Sequence, residues 1–169
     1  WAVLVLLALG ALGTAIRFLP DRPVTYDDPV EHFKYGSTGG ERNMGFPYWL
    51  FQVLPEVCPD LLPGKGYASL GFMFEAGRDL PVGMSKRRHM GIDRVFLNCA
   101  VCHSATVRTA PDARPMLIAG MPANQLDLMR FQKFVQACVN DRRFTPTQVV
   151  PRIAEKAGNL GLLDKWVIY

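Results

Sequence analysis

Extreme charge is missing from this sequence, and its absence excludes two broad classes. Nineteen Lys and Arg stand against fifteen Asp and Glu in 169 residues, a formal excess of +4. That balance is too mild to argue for a nucleic-acid partner by itself. Charged residues make up 20% and apolar residues 49%, so neither an acidic tail nor a wholly disordered chain is credible. The length suits one domain of ordinary size with a little extra. Internal repeats and low-complexity tracts are also absent. Fifteen Gly and thirteen Pro leave few unbroken stretches, which disfavours a plain bundle of long helices and favours compact segments joined by ordered, turn-rich loops. Cysteine is scarce, at four, yet two of the four stand in the constellation that carries the chemistry.

Charge is wholly lacking from Trp1 to Ile16. As a helix these residues would reach roughly 24 Å at 1.5 Å each, a little short of a ~30 Å hydrocarbon core. Phe18 and Leu19 extend the apolar stretch, and Pro20 ends it. Within the first sixteen residues Thr14 is the one polar side chain, which leaves no solvated face for a core helix, and Arg17 has a stem long enough to snorkel to a membrane interface. Gly13 and Ala15 make a mediocre signal-cleavage site. Residues 1–19 are therefore expected to be an uncleaved transmembrane helix, with the remainder on the periplasmic side. The chain opens on Trp rather than Met, so further residues are expected upstream.

Residues 20–84 read as a loop-rich segment that packs on the next unit. Pro20, Pro23, Pro29, the run Tyr35 to Gly40, and Pro47 break any helical period between 20 and 47. Tyr48 to Val57 reads as a short helix stopped near Pro55, or as a stretch lying flat at a membrane interface. Short strand pairing is expected at Tyr67 to Glu75. Residues 85–158 are expected to form that unit, the domain that carries the chemistry. A helix follows Pro122 with Asn124 as its cap, its apolar face marked by Leu128, Phe131, Phe134, Val135 and Cys138. Thr145-Pro146 starts a second helix that runs to about Ala157, with Gly158 as its stop. Residues 159–169 look like the start of a further helix, so the chain is expected to continue.

Cys99-Ala100-Val101-Cys102-His103 is the C-x-x-C-H signature of covalent haem attachment. Two thiols add across the haem vinyl groups as thioethers, and the three-residue step presents both to one porphyrin edge. His103 then brings its imidazole to the iron as axial ligand. At this composition the pattern arises by chance with a probability of roughly 0.2%. A thioredoxin-like redox pair would want a strand, then the motif, then a helix, and Phe96-Leu97-Asn98 reads as too brief a strand. A zinc site would need two further ligands, and Cys58, Cys138, His32 and His89 show no paired spacing. A bridge between Cys99 and Cys102 would be sterically poor. One covalent haem c is therefore expected.

The iron's other ligand is open at this level. Met121, in Gly120-Met121-Pro122, is the first candidate, because the Pro would fix the loop that aims the sulfur. His89 is the second, and an open sixth position is the third. Six basic residues and two acidic ones lie between Lys86 and Arg114. Among these, one or two of Arg88, Arg94 and Arg108 are expected to pair with the haem propionates. Lys86 and Arg87 read as solvated or as a docking surface for an acidic redox partner. Cys58 and Cys138 remain, and in an oxidising compartment two spare cysteines most simply pair.

The stretches YGSTGGERNMGFPYWLFQVLPEV, GYASLGFMFEAG, DLPVGMSKRR and GIDRVFLNCAVCHSATVR resemble a group of large bacterial cytochromes related to rubber oxygenase and, more distantly, to di-haem cytochrome c peroxidases. The resemblance covers roughly residues 32 to 145. Members of that group carry two haem motifs in a longer polypeptide, whereas this chain has one. The resemblance implies Cys99 and Cys102 as attachment points and His103 as proximal ligand.

The fold expected is thus mainly α, a cytochrome c-like haem domain with long ordered loops behind an N-terminal transmembrane helix. The function expected is one-electron transfer by a membrane-anchored c-type cytochrome, with other redox proteins or a membrane electron-transfer complex as partners. The N-terminal haem half of a di-haem oxygenase- or peroxidase-like enzyme is one alternative. A haem-bearing accessory subunit of a membrane redox complex is another.

Overall fold

The computed structural model describes residues 1–158. The further helix expected over 159–169 lies outside the described residues. Among the described residues helix accounts for 46% and strand for 15%, the latter in two antiparallel sheets. The fold is therefore mixed α and β, not the mainly α cytochrome c-like architecture expected. In chain order the elements are α1 (Ala2–Phe18), β1 (Arg22–Pro23), α2 (Pro29–Tyr35), α3 (Gly40–Met44), β2 (Phe46–Pro47) and α4 (Tyr48–Val57). There follow β3 (Met84–His89), β4 (Ile92–Leu97), β5 (Ser104–Val107), β6 (Met116–Ala119), α5 (Leu128–Val139) and α6 (Pro146–Ala157).

The strand content that overturns the expectation comes chiefly from one hairpin. β3 and β4 pair antiparallel from Met84 opposite Leu97 to His89 opposite Ile92. Met90 and Gly91 make the two-residue turn with φ of 50° and 74°, and that left-handed pair matches the twist of the strands it joins. Two short strands flank the hairpin, giving the order β1-β3-β4-β2. β2 meets β4 only at Arg94 and Val95.

The N-terminal expectation also needs correction. α1 forms where the uncharged run lies, but it has 17 residues, which at 1.5 Å each reach only about 25 Å. No helix among the described residues is long and apolar enough to cross a membrane. Its large apolar side chains, Leu4, Leu6 and Leu9 among them, are exposed.

One core draws on both sides of residue 84. Phe51, Leu54, Val95, Phe134 and Ile153 are buried together, from α4, β4, α5 and α6. Pro55 does not end α4, which continues to Val57. Proline lacks the N–H that would bond back to the carbonyl of Phe51. The Tyr67 hydroxyl donates to that carbonyl instead, at 2.7 Å, and the Tyr67 ring stacks on Phe51 with centroids 4.3 Å apart. This contact, between Gly66 and Gly71, both at positive φ, makes Tyr67–Leu70 a tight 3-10 turn rather than the strand expected. Cys58 and Cys138 form a disulfide, S–S 2.06 Å, tying the end of α4 to α5 as the spare-cysteine argument anticipated.

The other elements qualify the reading further. Residues 20–47 contain two short helices. Asp28 caps the first by accepting from the N–H groups of Val30 and Glu31, each at 2.8 Å, with Pro29 at the first helical position. α5 is capped by Asp127, which accepts from Arg130 N–H at 2.8 Å, and not by Asn124. α6 has the bounds expected, Pro146 to Ala157, with Gly158 at φ 61°.

Candidate functional site

The C-x-x-C-H segment sits between two strands and is braced by its first neighbour. After β4 the chain stays extended at Asn98 (φ −114°, ψ −175°) and then tightens into a 3-10 turn over Cys99–Val101. The Asn98 side chain is buried, accepts from Ala100 N–H at 3.0 Å, and donates to the carbonyls of Lys34 and Gly36 at 3.3 Å. Cys102 and His103 N–H both donate to the Cys99 carbonyl, at 3.3 and 3.1 Å, so the five residues close one turn. Ala100 and Val101 are buried, and Ala100 packs with Tyr35 and Val82. Gly83 makes room beneath: at φ 89°, a Cβ there would lie 2.3 Å from the Val101 Cα.

With Ala100 and Val101 inside, Cys99, Cys102 and His103 are left on the surface. All three are exposed, and both thiols are free. Among the described residues, no three or more His, Cys, Asp or Glu side chains converge as a metal cage would. The motif residues thus do not enclose one ion.

Met121 is brought to the motif. β5 and β6 pair from Ser104 opposite Ala119, and beyond that pair Gly120 N–H donates to the His103 carbonyl at 2.8 Å. Ala123 N–H donates to the Cys102 carbonyl at 2.9 Å. The backbone of Met121 is thereby fastened on both sides against Cys102 and His103, and its side chain is exposed. Asn124 has a different task from the cap expected of it. Its amide exchanges hydrogen bonds with the backbone of Thr106, at 3.3 and 3.0 Å.

The remaining candidates are dispersed. His89 lies at the turn end of the hairpin, its Nδ1 3.8 Å from Asp21 Oδ1. It pairs with Ile92, seven residues before Cys99, about 23 Å along extended chain. Arg88 lies one position nearer and pairs with Asp93 at 3.2 Å. Arg108 donates to the Pro111 carbonyl at 3.3 Å within its own loop. Arg94 has a buried Nε with no hydrogen-bond partner among the described residues. Arg87 is paired with Asp21, and Lys86 with Asp79 at 3.4 Å, so these two are engaged within the fold.

The thioredoxin-like reading fails for a reason other than the one expected. A full strand, β4, does precede the motif, but β5 follows it. The helix whose N-terminus would activate a redox thiol is missing.

Two carboxylates that sequence reasoning passed over support the site from behind. Glu41 is fully buried and accepts from Ser37 Oγ at 2.9 Å, Gly39 N–H at 3.0 Å, Thr38 N–H at 3.3 Å, and Ser85 Oγ. Burial opposes its charge, but these bonds outweigh burial and hold its carboxyl below the usual 4.5. The spacing Thr38-x-x-Glu41 is a capping-box signal that the sequence displays. Glu75 accepts from Tyr35 Oη at 2.7 Å and from Lys34 Nζ at 2.8 Å. Burial resists its charge too, and the bonds from Lys34 and Tyr35 hold its carboxyl below the usual value. Burial, together with this bond, pushes the Tyr35 phenol up. These links fix α2, against which the motif turn rests.

A haem c asks for two free thiols three residues apart, an imidazole beside the second, and a rigid backbone between. Cys99, Cys102 and His103 fit on each count, and the chain's other two cysteines are bridged to one another. Comparison with protein-family models, with curated proteins and with solved structures finds no match for this chain.

Proposed function

We propose that the chain is a c-type cytochrome, transferring one electron at a time through a single haem linked to Cys99 and Cys102, with His103 as axial ligand. The observation that carries this reading is the pair of free, exposed thiols on a braced turn with His103 exposed beside them. When bound, the haem supplies the ferric/ferrous couple. The chain supplies the rest. Asn98 holds the turn, while Ala100 and Val101 anchor it in the core. The exposed position of the motif leaves the attachment edge accessible, as electron exchange with another redox protein requires. The Cys58–Cys138 disulfide supports an oxidising, extracytoplasmic location.

Met121 is the proposed sixth ligand, because its loop is fastened to the motif by two backbone hydrogen bonds. Arg94, with its unpartnered buried Nε, is the arginine best suited to a propionate, since a charged acceptor would relieve that nitrogen. An optical redox titration tests the reading. A reversible one-electron transition of a low-spin haem is expected, and Met121→Ala should abolish the weak long-wavelength sulfur-to-iron band. A high-spin iron that binds cyanide readily would instead favour an enzyme. An unchanged band in the Met121 variant would remove that residue from the coordination sphere.

A further inference from the structure

We infer that α1 and the arginines at its foot form a docking surface for an anionic lipid layer, with α1 sunk in the layer without crossing it. Haem attachment is not required for this. Val3, Leu4, Val5, Leu6 and Leu7 are each 54–68% exposed. At 3.6 residues per turn, five successive residues go right round a helix, so α1 is apolar and uncovered on every side. A groove or a second helix covers one side only, whereas a lipid layer covers all of them. Thr14, the one polar side chain from Trp1 to Ile16, donates its hydroxyl to the Gly10 carbonyl at 2.8 Å, so no side chain on that stretch asks for water. The 17 residues of α1 reach about 25 Å, short of a ~30 Å hydrocarbon core.

The foot of α1 supplies the opposite chemistry. Asp21, just past the helix, gathers cations: it is paired with Arg87 and lies 3.9 Å from Arg42 and 3.8 Å from His89. Arg22 stands opposite Arg88 across β1 and β3, and Arg88 is paired with Asp93 at 3.2 Å. Four arginines thus share this corner with two aspartates, while the neighbouring Glu41 is buried and turned to Ser37 and Ser85. Arg22 and Arg42 are exposed. Met90, which follows His89 at the hairpin turn, is 59% exposed and adds an apolar contact. An apolar helix with a cationic collar complements hydrocarbon beneath anionic headgroups, and the two attractions together hold a protein that neither holds alone. Docked in this way, the hairpin turn faces the lipid and β4 leads away from it. Cys99 then lies seven residues beyond Ile92, about 23 Å of extended chain, clear of the layer and open to a redox partner.

Flotation of the full chain with vesicles tests this, with far-ultraviolet dichroism to report folding. The vesicles are phosphatidylcholine alone, or equal parts phosphatidylcholine and phosphatidylglycerol. Binding to the anionic vesicles is expected to exceed binding to the neutral ones and to weaken as salt is raised. Arg22→Gln/Arg42→Gln should weaken binding to anionic vesicles roughly 25-fold, about fivefold per arginine, and leave binding to neutral vesicles unchanged. Leu6→Asp/Leu9→Asp, within α1, should lose binding to both. Arg130→Gln/Lys133→Gln, on exposed residues of α5, is the control and should change neither. If the collar variant does not fold, the salt dependence of the unaltered chain is read in its place. Equal, salt-insensitive binding to both kinds of vesicle, or a folded collar variant that binds as the unaltered chain does, would overturn the inference. Failure to bind either kind would overturn it too, and a concentration-dependent dimer in that case would assign α1 to a second copy.

Discussion

Asn98 holds the motif turn directly, and Glu41 fastens residues 37–39 to Ser85 of β3. Asn98 makes three hydrogen bonds from a buried position, one to the turn and two to carbonyls at the C-terminal end of α2. Asn98→Ala leaves the Ala100 N–H and the Gly36 carbonyl without their side-chain partner, while the Lys34 carbonyl keeps the Gly83 N–H at 3.0 Å, and should cost about 2–3 kcal/mol in denaturant unfolding. Glu41 acts through charge. Its folded pKa lies below the usual 4.5, so its contribution is fully present above the unfolded value and is lost as pH falls through the folded one. Stability should therefore decline below about pH 4.5. Glu41→Gln should remove roughly 2–3 kcal/mol at neutral pH, because its amide nitrogen would face one pair of donors, either Ser37 and Gly39 or Ser85 and Thr38, and should flatten the acid limb. An unfolding series over pH checks both effects. Of these residues the sequence displays Glu41 through its capping-box spacing. Asn98 is not legible, because its partners Lys34 and Gly36 are more than sixty residues away in the chain.

Between elements, the legible parts are those set by local signals. α5 and α6 follow from apolar spacing and from Thr145-Pro146, and α4 from its aromatic run. The β3–β4 hairpin is hidden for two reasons. Its first strand carries the basic run Lys86-Arg87-Arg88, which reads as surface although all three are half-buried, and its turn uses Met90 where a left-handed position usually takes Asn or Asp. The 3-10 turn at Tyr67 is also illegible, since it depends on the carbonyl that Pro55 releases in α4. The pairing of Cys58 with Cys138 is legible by elimination, and its energetic weight follows from the 80 residues between them. Replacing both by Ala should lower stability by about 4–5 kcal/mol in the chain-entropy model. Urea unfolding of the double variant measures it, and a loss below about 1 kcal/mol would show that α4 and α5 dock equally well without the bridge.

For the molecule as a whole, the architecture departs from the mainly α domain expected, yet it leaves Cys99, Cys102 and His103 exposed on one turn. A four-stranded sheet delivers Cys99 at the end of β4, a two-stranded sheet carries the chain away from His103, and the loop before α5 returns Met121 to the same place. The account turns on a tetrapyrrole joined to the chain by thioether bonds. The direct measurement is a pyridine haemochrome spectrum and intact mass of the purified chain, made with haem-attachment machinery, after acid–acetone extraction. The account predicts one haem retained per chain, and none after Cys99→Ala/Cys102→Ala. A colourless extract residue with the mass of the bare polypeptide would contradict it.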